Sequence, residues 1–338
     1  MSNITLNVHA DLEDTHFKNE GEWMAKIIDG AHKNDSVEIV LREGVALEQI
    51  GFKGKKFLDI LKDICETNGW PLTKFKFNVI NLDQDKAVWP NITCTGYPGH
   101  FLYGQTQDVK IKKNIIKTFG MFVGRSSWDR LLIASHLHSH YADITAQTYR
   151  NYLDQPSTMI NMDFDRLLWQ LSAAGSITKE ILMQVSNFIS KLPFTFDNKH
   201  AGVTNLQWDN GAWGKELLEQ YNKIFVDVVC EKMITGRTFF PTEKTGRALA
   251  TKTPIIVMSS ANYLGNLRKL GFKTFKQYWN EDYDYQEGIS RLESIKKVLD
   301  HIASEDVISM HQDMQPILDY NYNLYMDLEE SKMVNFPS

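Results

Sequence analysis

The sequence predicts an α/β protein with two domains. The chain has 338 residues, apolar strand-like runs alternate with amphipathic helix-like runs in both halves, and residues 86–108 are rich in turns. A chain of this length exceeds one ordinary core, and alternation of strands with helices is typical of parallel βαβ units. We therefore expect two Rossmann-like domains that face a cleft, followed by C-terminal helices.

The predicted strands are short apolar runs, and the predicted helices repeat apolar residues every three or four positions. We expect strands at 4–8, 37–41, 75–80, 119–123, 224–230 and 254–258. We expect helices at 23–31, 55–66, 128–140, 164–174, 178–189, 241–250 and 261–270, and a largely helical remainder from about 286. The predicted domains are 1–112, 113–303 and a C-terminal helical segment, 304–338, that packs across both.

Composition excludes several classes of protein. The formal net charge of −5 argues against a strongly basic nucleic-acid-binding protein. No segment has the roughly 18 consecutive apolar residues that a membrane helix needs, so we expect no membrane association. Three widely spaced cysteines, Cys65, Cys94 and Cys230, match no zinc motif and suit a reducing compartment. We expect a cytoplasmic protein and make no prediction of its oligomeric state.

Residues 241–247, Pro-Thr-Glu-Lys-Thr-Gly-Arg, lie between a predicted strand and a predicted helix. Ligands of α/β sheets bind at the carboxyl ends of strands, and a helix N-terminus offers free N–H groups to a diphosphate. Thr242 is a candidate helix cap, Glu243 is suited to ribose hydroxyls and Lys244 adds positive charge. The alternative is an ordinary capped helix start with solvated side chains.

A second candidate anion site follows the strand that ends at Val123. A turn with Arg125 precedes a helix that contains Arg130, and arginine suits forked contact with phosphate oxygens. We assign Arg125 to the diphosphate and keep Arg130 as a second candidate. The alternative is a surface pair between arginine and Asp129.

The motif Thr242-Glu243-Lys244-x-x-Arg247-Ala248-Leu249, followed by the strand that opens at Thr253-Pro254, resembles the donor site of fucosyltransferase-like enzymes with the GT-B fold. The resemblance implies a nucleoside-diphosphate sugar donor, with Glu243 on the ribose, Lys244 on a phosphate and an inverting transfer. It assigns Thr242 and Arg247 to the same donor site. The Arg125 region departs from the strict fucosyltransferase pattern, which leaves the sugar undetermined.

The stretch 221–284 also resembles proteins of tailed phages, in segments such as 239–245 and 279–284. Tailed phages glycosylate hydroxymethylated bases in their own DNA with GT-B enzymes. The resemblance therefore implies double-stranded DNA with a hydroxymethylated pyrimidine as acceptor and the host cytoplasm as location. A surface glycan or a lipid-linked sugar is the alternative acceptor.

Glycosyl transfer needs a base that takes the proton of the acceptor hydroxyl. In GT-B enzymes this residue usually comes from the N-terminal domain. Our candidates are Asp11 and Glu22, near the predicted first strand, and His100 in the turn-rich segment. Each is also compatible with an ordinary solvated side chain.

Metal chemistry is the competing interpretation. Asp83-Gln84-Asp85 and Asp163-Phe164-Asp165 match the short DxD pattern of metal-dependent transferases, and residues 136–140 form an HxHxH run. Side chains two apart on a helix point to nearly opposite faces, so we interpret the histidines as surface or packing residues. Positive charge from Lys244 and the arginines favours transfer without a metal cofactor.

Basic and aromatic residues could serve a DNA acceptor. Lysines cluster at 53–56 and at 110–117, where they could follow a phosphate backbone. A flipped base needs an aromatic pocket, for which the candidates are Trp89, Tyr97, Phe101 and Tyr103. The competing functions are a non-catalytic nucleotide-binding protein and a DNA-binding phage protein.

Overall fold

The computed structural model describes residues 3–8, 20–41, 51–52, 55–79, 89–94, 111–124, 126–149, 158–194, 215–232 and 234–331. The chain divides into two compact units. Unit 1 comprises residues 1–98, 236–240 and 333–338, and unit 2 comprises residues 99–235 and 241–332. Within the described residues there are two four-stranded parallel sheets and ten α-helices. This mixed α/β architecture is compatible with two Rossmann-like domains.

Unit 1 contains β1 (Asn3–Val8), α1 (Glu20–Lys33), β2 (Ser36–Leu41), β3 (Gly51–Phe52), β4 (Lys55–Lys56), α2 (Phe57–Asn68), β5 (Phe75–Val79) and β6 (Ile92–Cys94). Its parallel sheet has the order β1-β2-β5-β6, and β3 and β4 pair separately as a short antiparallel hairpin. The predicted strands β1, β2 and β5 are confirmed. Helix α2 begins two residues later than predicted, because Lys55 and Lys56 form β4 and pair with β3.

The core of unit 1 places Trp89 among apolar side chains. Trp89 is 1% exposed and packs edge-on against Phe77, with ring centres 5.5 Å apart. Its Nε1 donates a hydrogen bond to the carbonyl oxygen of Phe75 at 3.0 Å. The prediction that Trp89 lines a pocket for a flipped base is therefore wrong, because its ring is already enclosed. Tyr97, Phe101 and Tyr103 lie outside the described residues.

Unit 2 begins with β7 (Lys117–Val123), α3 (Trp128–Tyr141), β8 (Thr145–Tyr149), α4 (Thr158–Ala173), α5 (Lys179–Ile189) and α6 (Lys215–Tyr221). It continues with β9 (Ile224–Cys230), α7 (Glu243–Ala250), β10 (Ile255–Met258), α8 (Tyr263–Lys269), α9 (Gly288–Ala303) and α10 (Val307–Ser331). The predicted strand at 224–230 is confirmed as β9, which is buried along its whole length although Asp227 lies at its centre.

Sequence periodicity did not predict β6 or β8. Strand β8, with the sequence Thr-Ala-Gln-Thr-Tyr, is polar and lies at one end of the described sheet. The C-terminal helix α10 packs on α7 and β9 within unit 2. Its predicted packing across both domains, and the predicted boundary near residue 112, remain predictions.

Replacing Trp89 by phenylalanine should destabilise unit 1 by about 1–3 kcal/mol, because the substitution leaves a small cavity and an unpaired buried carbonyl at Phe75. Urea unfolding followed by circular dichroism measures the effect as a lower transition midpoint. Trp169→Phe is the matched control, because Trp169 is 66% exposed. Equal midpoints for the two variants would contradict the buried position of Trp89.

Candidate functional site

The sheet of unit 2 reverses its direction of growth between β7 and β9. Its order is β10-β9-β7-β8. From β7 the chain continues to β8 on one side, and from β9 it continues to β10 on the other. Because β7 and β9 are parallel neighbours, the segments that follow them leave from the same edge of the sheet. Open α/β sheets bind ligands in the crevice at such a topological switch point.

The segment after β7 contains the first predicted anion site. Gly124 follows the strand, Arg125 lies outside the described residues, and α3 begins at Trp128. Ser127 occupies the N-cap position with extended backbone, but its side chain makes no capping hydrogen bond. The N-terminus of α3 therefore lies at the carboxyl end of β7, as predicted, and the Ser127 hydroxyl does not cap it.

Arg130 joins the two sides of the switch point. Its Nη2 donates to the carbonyl oxygen of Cys230 at 3.2 Å and to that of Glu231 at 2.9 Å. These carbonyls belong to the end of β9 and the residue that follows it. Arg130 thus holds the N-terminal turn of α3 against the end of β9, and its predicted contact with a diphosphate remains a prediction.

Helix α7 begins at Glu243 and places the second predicted site at the same edge of the sheet. The Thr242 hydroxyl accepts a hydrogen bond from the Lys244 N–H at 3.3 Å. This contact confirms Thr242 as the helix cap. Capping fixes the first turn of the helix, whose remaining free N–H groups favour negatively charged ligands.

The carboxyl group of Glu231 fixes this helix start to the sheet. Glu231 is 1% exposed. Its Oε1 accepts hydrogen bonds from the Thr242 N–H at 3.0 Å, the Thr245 hydroxyl at 2.6 Å and the Tyr263 hydroxyl at 3.1 Å. Its Oε2 accepts a short hydrogen bond from the Thr242 hydroxyl. Sequence analysis missed Glu231, although an acid directly after a mostly apolar strand was a usable signal.

Glu243 and Lys244 form a partly exposed ion pair at the beginning of α7. The Lys244 Nζ lies 3.0 Å from the Glu243 Oε1 and 3.1 Å from the Thr242 hydroxyl. The two side chains are 20% and 21% exposed. Burial alone would raise the pKa of Glu243, but the charges of Lys244 and Arg247 outweigh it and lower the pKa to about 2. Glu243 is therefore an ionised hydrogen-bond acceptor at neutral pH.

Arg247 belongs to α7 and is 6% exposed. Its Nε lies 3.5 Å from the Tyr221 hydroxyl, which donates to the Asp227 Oδ2 at 2.6 Å. The structure thus places Arg247 in a buried polar group, one helical turn from Glu243. Its predicted role in donor binding remains a prediction.

Lys113 belongs to the same buried group. Its Nζ donates to the Tyr221 carbonyl at 2.7 Å and to the Thr253 hydroxyl at 2.6 Å. Burial lowers the pKa of Lys113 to about 7, an effect that the charge of Asp227 opposes, and burial raises the pKa of Asp227 to about 6. Lys117 also donates to a carbonyl within unit 2, that of Asp143. The predicted basic cluster at 110–117 is corrected accordingly, because two of its ammonium groups bind the protein itself.

The three predicted base candidates are not placed by the structure. Asp11 and His100 lie outside the described residues. Glu22 belongs to α1, but its side chain lies outside the description. The identity of the base therefore remains a prediction.

The two DxD matches and the HxHxH run do not form a metal site in the part of the chain that the structure describes. Asp83 and Asp85 lie outside it, and Asp163 and Asp165 lie on α4, where positions two apart point to different faces. No group of three His, Cys, Asp or Glu residues that could hold a metal occurs among the described residues.

Asp163 has a different environment from the one that the DxD pattern predicted. It hydrogen-bonds Ser126, in the turn after β7, and burial raises its pKa. The pattern was thus misleading about metal binding, but it marked a carboxyl group beside the first anion site.

The HxHxH run lies on α3, as predicted, and its three histidines lie on two different faces of the helix. The rings of His136 and His140 lie 4.7 Å apart on one face, and the His136 Nε2 lies 3.1 Å from the Asp300 Oδ1. His138 packs against Phe188 on the other face. Burial lowers the pKa of His136. These contacts, with His140 exposed, confirm the interpretation of the run as surface or packing residues.

Comparison with protein-family models finds no match, and comparison with curated proteins finds none either. Among solved structures, the chain is similar to the Glycosylation Associate Protein (Gap123) complex from Streptococcus agalactiae, at 9% sequence identity and a TM-score of 0.27. The similarity covers 93% of this chain and 58% of that chain. A TM-score this low decides neither the fold nor the activity.

Among the described residues, no helix combines the length and the apolar character that crossing a membrane requires.

Replacing Glu231 by glutamine should destabilise unit 2 by about 1–3 kcal/mol, because the amide offers one acceptor oxygen where the carboxylate offers two. Urea unfolding measures this change. Glu293→Gln is the control, since Glu293 forms only a partly exposed ion pair with Lys296 and should change stability by less than about 0.5 kcal/mol. Equal stability of both variants would contradict a central role for Glu231.

The low pKa of Glu243 predicts a defined loss of stability in acid. The folded pKa of about 2 lies below the ordinary 4.5, so the contribution is present above about pH 4.5 and is lost as the pH falls towards 2. Urea unfolding between about pH 5 and pH 2.5 should show a smaller pH dependence for Glu243→Gln than for the unmodified protein. The control Glu305→Gln should retain the full pH dependence, and a Glu243→Gln profile that does the same would refute the shift.

Proposed function

We propose that the chain is a glycosyltransferase that moves a sugar from a nucleoside-diphosphate sugar to a hydroxyl acceptor. One observation carries the proposal: the Glu231 carboxyl group fixes the capped start of α7, with Glu243 and Lys244, at the carboxyl end of β9. That position is the switch point of a doubly wound parallel sheet, where nucleotides bind. In this proposal the two units are the acceptor and donor domains of a GT-B enzyme.

Each donor-site residue has a role that matches its chemistry. Glu243, ionised and a fifth exposed, accepts hydrogen bonds from two ribose hydroxyls. Lys244 and the N-terminus of α7 bind the diphosphate, and Arg125, which follows β7 in the sequence, is assigned to it as well. Thr242 orients the helix start, while Arg130 and Arg247 add positive potential from the two adjoining elements.

The proposed reaction is a displacement at the anomeric carbon. The bond from this carbon to the diphosphate oxygen breaks, and its electron pair leaves with the nucleoside diphosphate. The acceptor oxygen forms the new bond with inversion, and its proton passes to a base for which Asp11, Glu22 and His100 are the candidates. Positive charge from Lys244 and the helix N-terminus stabilises the leaving group, so the transfer needs no metal cofactor.

The proposed acceptor is a hydroxymethylated pyrimidine in double-stranded phage DNA, modified in the host cytoplasm. Support for it comes from the sequence resemblance to phage proteins and from the lysines at 53–56. The internal bonds of Lys113 and Lys117 reduce the cationic surface available to a phosphate backbone. A surface glycan or a lipid-linked sugar is therefore kept as the alternative acceptor.

Nucleoside diphosphates should raise the melting temperature of the full chain without added metal. We expect UDP or GDP to bind and Lys244→Ala to weaken that binding about 10- to 100-fold, because a charge-assisted hydrogen bond contributes roughly 1.5–3 kcal/mol. Glu243→Ala should remove the contribution of ribose, so that it weakens UDP binding but leaves the binding of pyrophosphate unchanged. Thermal-shift titrations measure both effects.

The matched controls are Glu293→Ala and Lys296→Ala, which break an ion pair between residues three apart on α9 and should leave nucleotide binding intact. Released UDP or GDP is then measured with UDP- and GDP-sugars, with hydroxymethylated DNA, unmodified DNA or a glycan as acceptor. Absence of a shift with every nucleoside diphosphate would refute the donor site. Binding without turnover on any acceptor would indicate a non-catalytic nucleotide-binding protein.

A further inference from the structure

A cavity lies in unit 2, and its lining differs from the residues of the switch point. It has a volume of about 650 Å³ and is lined by residues of α8 and of the segment 276–285. Its walls include Arg268, Lys276, Tyr278, Asp282 and Tyr285. This volume falls within the range of small-molecule sites in proteins, and no residue assigned to the donor site lines it.

The walls of the cavity are fixed by internal hydrogen bonds. The Arg268 Nη1 donates to the Thr274 hydroxyl at 2.9 Å and to the Glu281 Oε2 at 3.0 Å. The Glu281 Oε1 accepts the Phe275 N–H at 2.7 Å, and Glu281 is 8% exposed. Because these contacts are already made, a ligand would not have to order this wall on binding, and a preformed site loses less free energy to ordering.

Asn280 and Asp282 form a further set of contacts in the polar part of the wall. The Asn280 Oδ1 accepts the Asp282 N–H at 2.6 Å, and the Asn280 Nδ2 donates to the Asp282 Oδ2 at 3.0 Å. Both side chains are exposed, so each retains hydrogen-bonding capacity toward solvent or a ligand. The cavity therefore presents both donors and acceptors.

The charges of the lining residues cancel. Arg268 and Lys276 contribute two positive charges, and Glu281 and Asp282 contribute two negative charges. A phosphate or a carboxylate ligand would be attracted by the two positive side chains and repelled by the two negative ones. A neutral ligand with many hydroxyl groups has no such conflict, because each hydroxyl both donates and accepts.

Aromatic rings complete the lining. Tyr285 is 66% exposed, which is unusual for so large a ring, and Tyr278 and Trp279 line the same cavity. Trp279 stacks on Phe275, with ring centres 5.3 Å apart. Its Nε1 is buried and has no hydrogen-bond partner among the described residues. An exposed aromatic ring beside polar groups whose charges cancel suits a ligand that is apolar on one face and polar at its edges.

The geometry points to a binding site for a neutral saccharide in this cavity, with Tyr285 against the apolar face of a sugar ring and Asn280 and Asp282 bound to its hydroxyls. Charge balance, preformed walls and an exposed ring all favour a pyranoside over an anionic metabolite. The saccharide site is separate from the proposed donor site and stands without it, since a saccharide could bind here whether or not the chain transfers sugars.

Ligand-observed saturation-transfer NMR on the full chain tests the site with methyl glycosides of glucose, galactose, mannose and N-acetylglucosamine. We expect at least one glycoside to bind and Tyr285→Ala to weaken its affinity by roughly tenfold. Tyr320→Ala is the matched control, because Tyr320 is an exposed tyrosine of the same unit, 42% exposed, that does not line the cavity. It should leave the affinity unchanged.

Two further measurements distinguish a neutral saccharide from a charged ligand and from a nucleobase. The affinity of a neutral glycoside should be the same at about 0.05 M and 0.5 M NaCl, because salt screens charge–charge attraction only. Adenosine tests whether the rings instead prefer a flat base. Binding of none of the glycosides, equal effects of Tyr285→Ala and Tyr320→Ala, a marked loss of affinity in salt, or tighter binding of adenosine at the cavity would each overturn the inference.

Discussion

The architecture of the candidate donor site depends on one buried carboxyl group. Glu231 follows the last residue of β9 and receives hydrogen bonds from the cap of α7, from the first turn of that helix and from the first residue of α8. Three elements that are far apart along the chain are thereby joined at one point. The free N–H groups of α7 and the Glu243–Lys244 pair keep their position at the sheet edge because this carboxyl group is in place.

The sequence predicted well those elements of unit 2 whose residues are nearly all buried or make their contacts with close neighbours in the chain. Strand β9 has apolar residues at nearly every position and is buried throughout, and Thr242 caps α7 by a contact two residues away. Sequence failed where the environment comes from distant residues. The partners of Glu231 are 11 to 32 positions away, and β8 gains its place by pairing with β7 although its own residues are mostly polar.

The least predictable property was which side chains of polar or turn-rich stretches are buried. Lys113 belongs to a lysine-rich stretch that reads as solvated, yet its ammonium group is bonded to Tyr221 and Thr253. Trp89 lies in a turn-rich stretch and was predicted to line a pocket for a flipped base, yet it fills the core of unit 1. In both cases the local sequence is polar or turn-like, and only tertiary contact decides which side chain turns inward. The candidate site could therefore be located from sequence, whereas its supporting contacts could not.

The strand order of unit 2 has a consequence for how the protein is made. Strand β7 is central, but its two neighbours, β8 and β9, are 75 residues apart in sequence between Tyr149 and Ile224. A ribosome adds roughly 5–20 residues per second, so β9 emerges about 4–15 s after β8 is complete. Throughout that interval one edge of β7 lacks its native partner and is open to pairing with another chain. Slowing translation within this interval would prolong the exposure, and a chaperone that covers strand edges would be needed most there.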